Sequence, residues 1–184
     1  MLWKNIFDWL LAIISLFILS GPFILISLVI LILDGKPVLF RQKRLGQNKR
    51  AFLIYKFRTM KEGKITRFGH LLRQTGIDEL PQIFNIFQGE MSIVGPRPLT
   101  LSDIQRLKWD DTNHSLRWKI KPGITGLAQL YGGRGAKVSW LMDKTYIKQV
   151  SPSMDIKIIF LSFIVNLLGK RRVRQFLFDK KRRK

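Results

Sequence analysis

The chain has 184 residues, 46% of them hydrophobic, with 33 Lys and Arg against 12 Asp and Glu and a formal net charge of +21. That is enough chain for one compact domain with a real core, and the hydrophobic share excludes a disordered basic tail protein. Cysteine is absent and His70 and His114 are far apart, which excludes disulfides, thiolate metal sites and a local histidine metal motif. The charge calls for a polyanionic partner: nucleic acid, an anionic membrane or a phosphate-bearing substrate.

From Ile6 to Leu33 the chain is almost wholly apolar, interrupted only by Asp8, Ser15, Ser20 and Ser27. This run exceeds the roughly 20 residues that cross a bilayer. It is too long for a secretory signal peptide, and no small-residue cleavage site follows. The segment therefore favours a membrane over nucleic acid as the partner. Ser20-Gly21-Pro22 falls inside the run. It reads either as a tolerated kink in a spanning helix or as the bend of a re-entrant hairpin. The halves, of about 14 and 11 residues at about 1.5 Å each, would both fall short of a full bilayer. Lys4 precedes the run and Lys36, Arg41, Lys43 and Arg44 follow it, so either topology leaves the globular part in the cytoplasm. The expected division is a membrane segment over 1–35 and a membrane-associated cytoplasmic domain over 36–184.

Asp34-Gly35-Lys36-Pro37 reads as a turn and Val38-Leu39-Phe40 as a short strand. Arg41 to Arg50 reads as a basic loop. Ala51 to Met60 is rich in aromatic and β-branched residues and reads as a second strand. In a regular strand Lys56 and Arg58 share one face, which is either solvated or a phosphate-binding face. Lys61 to Lys64 is a polar connection. Arg67 to Gln74 has the spacing of a short amphipathic helix ended by Gly76. Leu80, Ile83, Phe84 and Phe87 mark the apolar stripe of a further helix, with Asp78 placed as N-cap and Pro81 in the first turn.

Asp78 and Glu79 admit two readings. Carboxylates in a first helical turn satisfy free N–H groups and favour the positive end of the dipole. The same position can face a phosphoryl group, and an adjacent carboxylate can hold Mg²⁺. Asp110-Asp111, the other adjacent acidic pair, lies in a polar stretch without phosphate-binding neighbours. Met91 to Gly95 reads as a short strand after a turn. Arg97 is then held between Pro96 and Pro98, as a rigid turn or as a preset phosphate ligand. Ser102 reads as the cap of a helix running to Trp109, and Lys121 to Leu130 as a turn and a β-like run. Gly132-Gly133-Arg134-Gly135 is a flexible basic loop. Trp140 to Val150 reads as helical. Ile156 to Leu168 is an apolar helix too short to span, hence interfacial or buried. The basic tail Lys170 to Lys184 suits an anionic leaflet.

The stretches LFRQKRLGQNKRAFLIYKFRTM, GIDELPQIFNIFQGEMSIVGPRPL and KPGITGLAQL, with the broken apolar N-terminus, resemble the bacterial sugar transferases. These are small monotopic phosphoglycosyl transferases, and the motifs cover most of Val38 to Leu130 in family order. The size is similar to the family's minimal catalytic form, without the extra transmembrane bundle of larger members. The resemblance implies an α+β fold: a re-entrant helix broken at Ser20-Gly21-Pro22 and a small cytoplasmic catalytic domain with short strands and interfacial amphipathic helices. It implies an enzyme of the bacterial cytoplasmic membrane, with its catalytic domain on the cytoplasmic face. Such an enzyme moves a sugar-1-phosphate from a UDP-sugar to polyprenyl (undecaprenyl) phosphate and releases UMP, which begins lipid-linked assembly of an exopolysaccharide or glycoprotein glycan.

By the same resemblance Asp78 is the nucleophile and Glu79 a carboxylate of an Mg²⁺ site. Arg97 binds phosphate, and Lys56 and Arg58 are further phosphate contacts. The implied partners are the UDP-sugar, polyprenyl phosphate and membrane lipid, with no nucleic acid. The chain departs from the family pattern where Gly21 separates Ser20 from Pro22, where Lys61 to Thr66 is short, and where the stretch around Trp140 and Asp143 is compressed. The alternative is a non-enzymatic, membrane-anchored basic protein that binds anionic lipid or nucleic acid.

Overall fold

The structure, a computed structural model, describes residues 1–131 and 135–168. The expected basic loop at Gly132 to Arg134 and the tail Lys170 to Lys184 lie outside the described residues. Helix α1 runs from Leu2 to Asp34 with Pro22 inside it, and it is long and apolar enough to cross a membrane. Helical backbone runs on through Ser20-Gly21-Pro22, so a bend at this point takes the form of a proline kink within α1 and not of an unwound break. Pro22 leaves the Ile18 carbonyl without its i+4 donor, and the Ser20 hydroxyl, which donates to the neighbouring Phe17 carbonyl at 2.8 Å, does not replace it. Apolar helices tolerate a single missing rung of this kind through local adjustment of the backbone.

One body of protein grips α1 along its whole length. Near its start, buried Lys4 pairs with buried Asp155 at 2.5 Å, and the Ile93 amide donates to Asp8 at 3.1 Å. Ala12, Leu16 and Leu19 then pack on Phe52, Ile54, Ile83, Ile86 and Met91. Past Pro22, Phe23, Ile26 and Ile30 close over Phe57 and Leu72. At the far end the Thr66 hydroxyl donates to Asp34 at 3.1 Å, and the Arg58 guanidinium donates to the Gly35 and Lys36 carbonyls at 2.5 and 2.7 Å. The outer face stays bare: Phe17 is 84% and Ile32 79% exposed.

The α+β expectation holds as a mixed fold of helices and short strands. Strands β1 (Leu39–Leu45) and β2 (Ala51–Phe57) form an antiparallel pair in the register Leu39↔Phe57 to Leu45↔Ala51. The basic stretch expected as a loop from Arg41 is therefore strand as far as Leu45, because pairing with β2 overrides its polar composition. A two-rung hairpin, β3 (Met60–Lys61) and β4 (Lys64–Ile65), follows. Its turn residues Glu62 and Gly63 lie at φ 51° and 77°, the twist that tight hairpins require. Helix α2 spans Arg67–Thr75 and ends, as the sequence implies, at Gly76 in the left-handed region; Thr66 is its N-cap.

The next helix differs from the expectation. Ile77–Glu79 form a 3₁₀ turn, and α3 starts only at Gln82 and ends at Phe87, with Pro81 as its N-cap residue. Asp78 caps neither segment. The buried face of α3 is Gln82, Ile83, Asn85 and Ile86 rather than the apolar stripe. The free edge of β2 explains this. Asn85, fully buried, accepts from the Tyr55 amide at 3.1 Å and donates to the Leu53 carbonyl at 2.7 Å and to Glu90 at 2.8 Å. Its amide supplies what a third strand would otherwise provide. Phe84 and Phe87 turn instead toward α1, against Phe23 and Trp9 at centroid separations of 5.7 and 6.2 Å.

Strand β5 (Ser92–Val94) pairs in parallel with β6 (Gly123–Thr125). Between them lie α4 (Leu101–Leu107) and a 3₁₀ segment, Thr112–Lys119. Thr100, not Ser102, caps α4, in a capping box with Asp103. The β-like run expected to Leu130 ends at Thr125 and turns into α5 (Leu127–Leu130). Helices α6 (Ala136–Lys148) and α7 (Pro152–Leu168) complete the chain's described part. Tyr146 of α6 donates to the Val94 carbonyl at 3.0 Å and to Asp155 at 2.7 Å, which ties β5, α6, α7 and the Lys4 end of α1 into one core.

Candidate active site

A cleft of about 770 Å³ opens between β1–β2, the turn before α3, the ends of β6 and α5 and one side of α7. Asp78, Glu79, Lys56, Arg58 and Arg97 all line it, so the structure brings together every site residue expected from the sequence outside the membrane segment. Ser20, Gly21 and Pro22 belong to α1 and stand apart from it.

Asp78 owes its position to the backbone. Gly76, at φ 75°, turns the chain out of α2, and the 3₁₀ turn that follows presents Asp78 and Glu79 to the cleft. Because Asp78 caps no helix, its carboxylate is left for the cleft. Burial and then the neighbouring Glu79 raise its pKa above 3.8, while Lys56 and Arg73 pull it down. Glu79 accepts a 2.5 Å ion pair from Lys56, which β2 delivers from beneath. Strand β2 stops at Phe57, so Arg58 lies just beyond it, yet it still borders the cleft. Both terminal nitrogens of Arg58 are held by the end of α1, at Gly35 and Lys36. The cleft's cationic end therefore depends on other groups.

Arg97 is exposed and faces the cleft, with no carboxylate or carbonyl on its guanidinium among the described residues. Arg44 and Arg73 complete the ring of cations and were not picked out from the sequence. Arg73 Nε donates to Thr59 Oγ1 at 2.8 Å. Its signal was present, since it lies on the polar face of α2, five residues before Asp78. Arg44 shares the cleft with Gln42 and Phe40 on alternate residues of β1, a pattern visible only once Arg41 to Leu45 is read as strand. Ser162 and Asn166, the polar residues in the apolar second half of α7, form the opposite wall. The Ser162 and Thr125 hydroxyls are hydrogen-bonded to each other.

Among the described residues no group of three or more His, Cys, Asp or Glu could hold a metal ion by itself. The adjacent Asp78 and Glu79 offer what Mg²⁺ uses when substrate phosphates and water complete its shell: one or two carboxylates. The arrangement as a whole is a partly desolvated carboxylate facing several cations. It can attack, or hold a metal against, a phosphorylated substrate.

Comparison with known proteins shows that the chain belongs to the bacterial sugar transferase family, whose model matches residues 1–169. It is 35% identical over 190 residues to a UDP-glucose:undecaprenyl-phosphate glucose-1-phosphate transferase of Escherichia coli (strain K12), an alignment covering 91% of this chain and 40% of that protein. It is 33% identical over 186 residues to a UDP-N-acetylgalactosamine-undecaprenyl-phosphate N-acetylgalactosaminephosphotransferase of Aeromonas hydrophila, covering 90% and 44%. It is 34% identical over 190 residues to the exopolysaccharide production protein PSS of Rhizobium leguminosarum bv. phaseoli, covering 89% and 94%. The chain thus spans about two fifths of the first relative's length and nearly all of the third's.

Proposed function

We propose that the protein is a phosphoglycosyl transferase that moves a sugar-1-phosphate from a UDP-sugar to polyprenyl phosphate, undecaprenyl phosphate in the cell. The observation that carries this reading is Asp78: an uncapped, half-buried carboxylate on the floor of a cleft ringed by Lys56, Arg44, Arg73 and Arg97. An Asp oxygen attacks the phosphorus that bears the sugar, and the bond to UMP breaks. An oxygen of the lipid phosphate then attacks the same phosphorus, the aspartyl–phosphate bond breaks, and Asp78 returns as a carboxylate. Splitting the transfer in two lets a soluble and a lipid substrate use one site in turn. Glu79 would hold Mg²⁺, which when bound neutralises charge on the diphosphate. Arg97, Arg44 and Arg73 orient the phosphates, and Lys56 holds Glu79 beside Asp78.

The reading places the protein on the cytoplasmic face of the bacterial inner membrane, with α1 re-entering the leaflet rather than crossing. The grip at both ends of α1 by one body supports this. A domain confined to one side of a bilayer could not hold both ends of a spanning helix. Single cysteines at Leu2 and Lys36 are expected to label from the same side, and labelling from opposite sides contradicts the topology. The relatives' names carry different sugars, glucose and N-acetylgalactosamine. The donor therefore has to be found with a panel of UDP-sugars. Purified protein with Mg²⁺ and polyprenyl phosphate is expected to release UMP from at least one of them and to lose that activity in Asp78→Asn. No release from any donor, or full activity in Asp78→Asn, overturns the proposal and leaves a basic membrane-bound binder.

A further inference from the structure

The turn that carries Arg97 is poor in donors, since Pro96 and Pro98 lack backbone N–H groups. Neighbouring elements can hold such a turn chiefly through its carbonyls, and four in succession are taken. The Pro96 carbonyl accepts from the Gly123 amide at 2.9 Å and the Leu99 carbonyl from the Leu45 amide at 2.9 Å. The two between them are met by arginine side chains. Arg117 donates to the Arg97 carbonyl, and Arg44 donates to the Pro98 carbonyl at 3.2 Å.

Each arginine is itself fixed by a carboxylate. Arg117, 4% exposed, also donates to Asp143, 3% exposed, and its guanidinium lies over Trp109 at 5.2 Å and Trp118 at 6.0 Å. Arg44 also reaches Asp103 at 3.3 Å and Gln42 at 2.6 Å. Burying an ion pair as deeply as Arg117–Asp143 stabilises a fold poorly compared with apolar packing. A positioning duty accounts for it. The planar fork of Arg117 bonds Asp143 of α6 with one nitrogen and the turn with another, so the turn is referred to the rigid Trp core rather than to solvent.

We infer that Arg117 and Asp143 are positioning residues that act through the Arg97 backbone to aim its guanidinium at a phosphate group in the cleft, with Arg44 and Asp103 bracing the next carbonyl. The inference rests on the proposed reading of Arg97 as a phosphate ligand. Arg117 does not touch substrate. Its effect passes entirely through Arg97, so it disappears when Arg97 is removed.

The experiment is a double-mutant cycle on the full chain in nanodiscs, read as calorimetric affinity for inorganic pyrophosphate and as kcat/KM for UMP release. Arg117→Lys keeps a cation beside Asp143 but cannot reach both partners with one planar group. It is expected to weaken pyrophosphate binding about 10-fold and kcat/KM about 100-fold, as a misplacement of roughly 1 Å does. In an Arg97→Ala background the same change is expected to alter either quantity less than about 3-fold. Equal losses in both backgrounds, no loss in either, or no pyrophosphate binding by the unmodified protein overturns the inference. Should Arg117→Lys fail to fold, the near-isosteric Asp143→Asn carries the cycle under the same criteria. A coupled loss of pyrophosphate affinity without UMP release from any UDP-sugar refutes the proposed reaction while the clamp stands.

Discussion

Replacing Gly126 by alanine tests how closely the arginine turn is seated. Gly126 has φ 177° and ψ 165°, an extended conformation open to any residue, so the obstacle is space alone. A Cβ there would lie 2.1 Å from the Gly95 carbonyl oxygen and 2.3 Å from Gln129 Oε1. Gln129 can swing away, being the end of a side chain. Gly95 cannot: its amide donates to Thr125 at 2.9 Å, and the next residue's carbonyl accepts from Gly123. To restore even a 3.0 Å contact, Gly95 must retreat by roughly 1 Å, an overpacking that costs about 1–3 kcal/mol. In a chain of this size that lowers Tm by roughly 5 °C. The displacement enters the backbone two residues before Arg97, where a shift of about 1 Å is worth roughly 100-fold in rate. Gly21→Ala is the control. Nothing lies within 4 Å of its added methyl and α1 is helical there, so Tm is expected to hold or rise slightly. Thermal melts and UMP-release kinetics on the two variants decide the matter. Unchanged kcat/KM in Gly126→Ala, with its Tm lowered, would refute the claim that catalysis depends on where this turn sits.

Asp78 must be ionised to attack, and burial with Glu79 holds its pKa above 3.8. The acid limb of the pH–kcat/KM profile is therefore expected above the ordinary aspartate range. Lys56→Gln should move that limb to still higher pH by removing a charge that favours the carboxylate, and a shift to lower pH would contradict the assignment. Lys4→Met leaves Asp155 buried without its cation and should cost about 3–5 kcal/mol in a denaturant titration. Lys4→Met/Asp155→Leu should recover most of this, because Tyr146 keeps the Val94 carbonyl as partner. Thr100→Ala removes the α4 cap and should cost about 1 kcal/mol by the same measurement.

Local chemistry in the sequence marks α2 with Gly76 at its end and the apolar α1, and the resemblance of its motifs marks the set of Asp78, Glu79, Lys56 and Arg97. What it misses depends on partners distant in the chain. Arg41 to Leu45 is polar enough to read as loop, and only β2 makes it strand. The buried face of α3 contains Gln82 and Asn85 because it lies on a strand edge, a demand that helical periodicity does not register. Asp78 has the composition of an N-cap, but Pro81 and the preceding 3₁₀ turn delay the helix and free the carboxylate. Arg117 and Asp143 lie 26 residues apart, and nothing local to either indicates that they meet.

The arginines near the cleft differ in what their partners leave for an anion. A guanidinium held by protein carbonyls has less of its hydrogen-bonding capacity to offer a phosphate. Arg58 is turned toward the end of α1, Arg117 is enclosed with Asp143, and Arg44 is divided among Gln42, Pro98 and Asp103. Arg97 differs in both respects. Its backbone is immobilised by four successive carbonyl contacts, while its side chain has no hydrogen-bond or ion-pair partner among the described residues. Fixing the main chain and leaving the guanidinium open lowers the entropy lost on binding while keeping the full donor fork. In a chain of net charge +21, positive potential is available over much of the surface and selects nothing by itself. Discrimination for a phosphate at Asp78 has to come from geometry, and part of that geometry is supplied by Arg117, a buried cation that does not line the cleft.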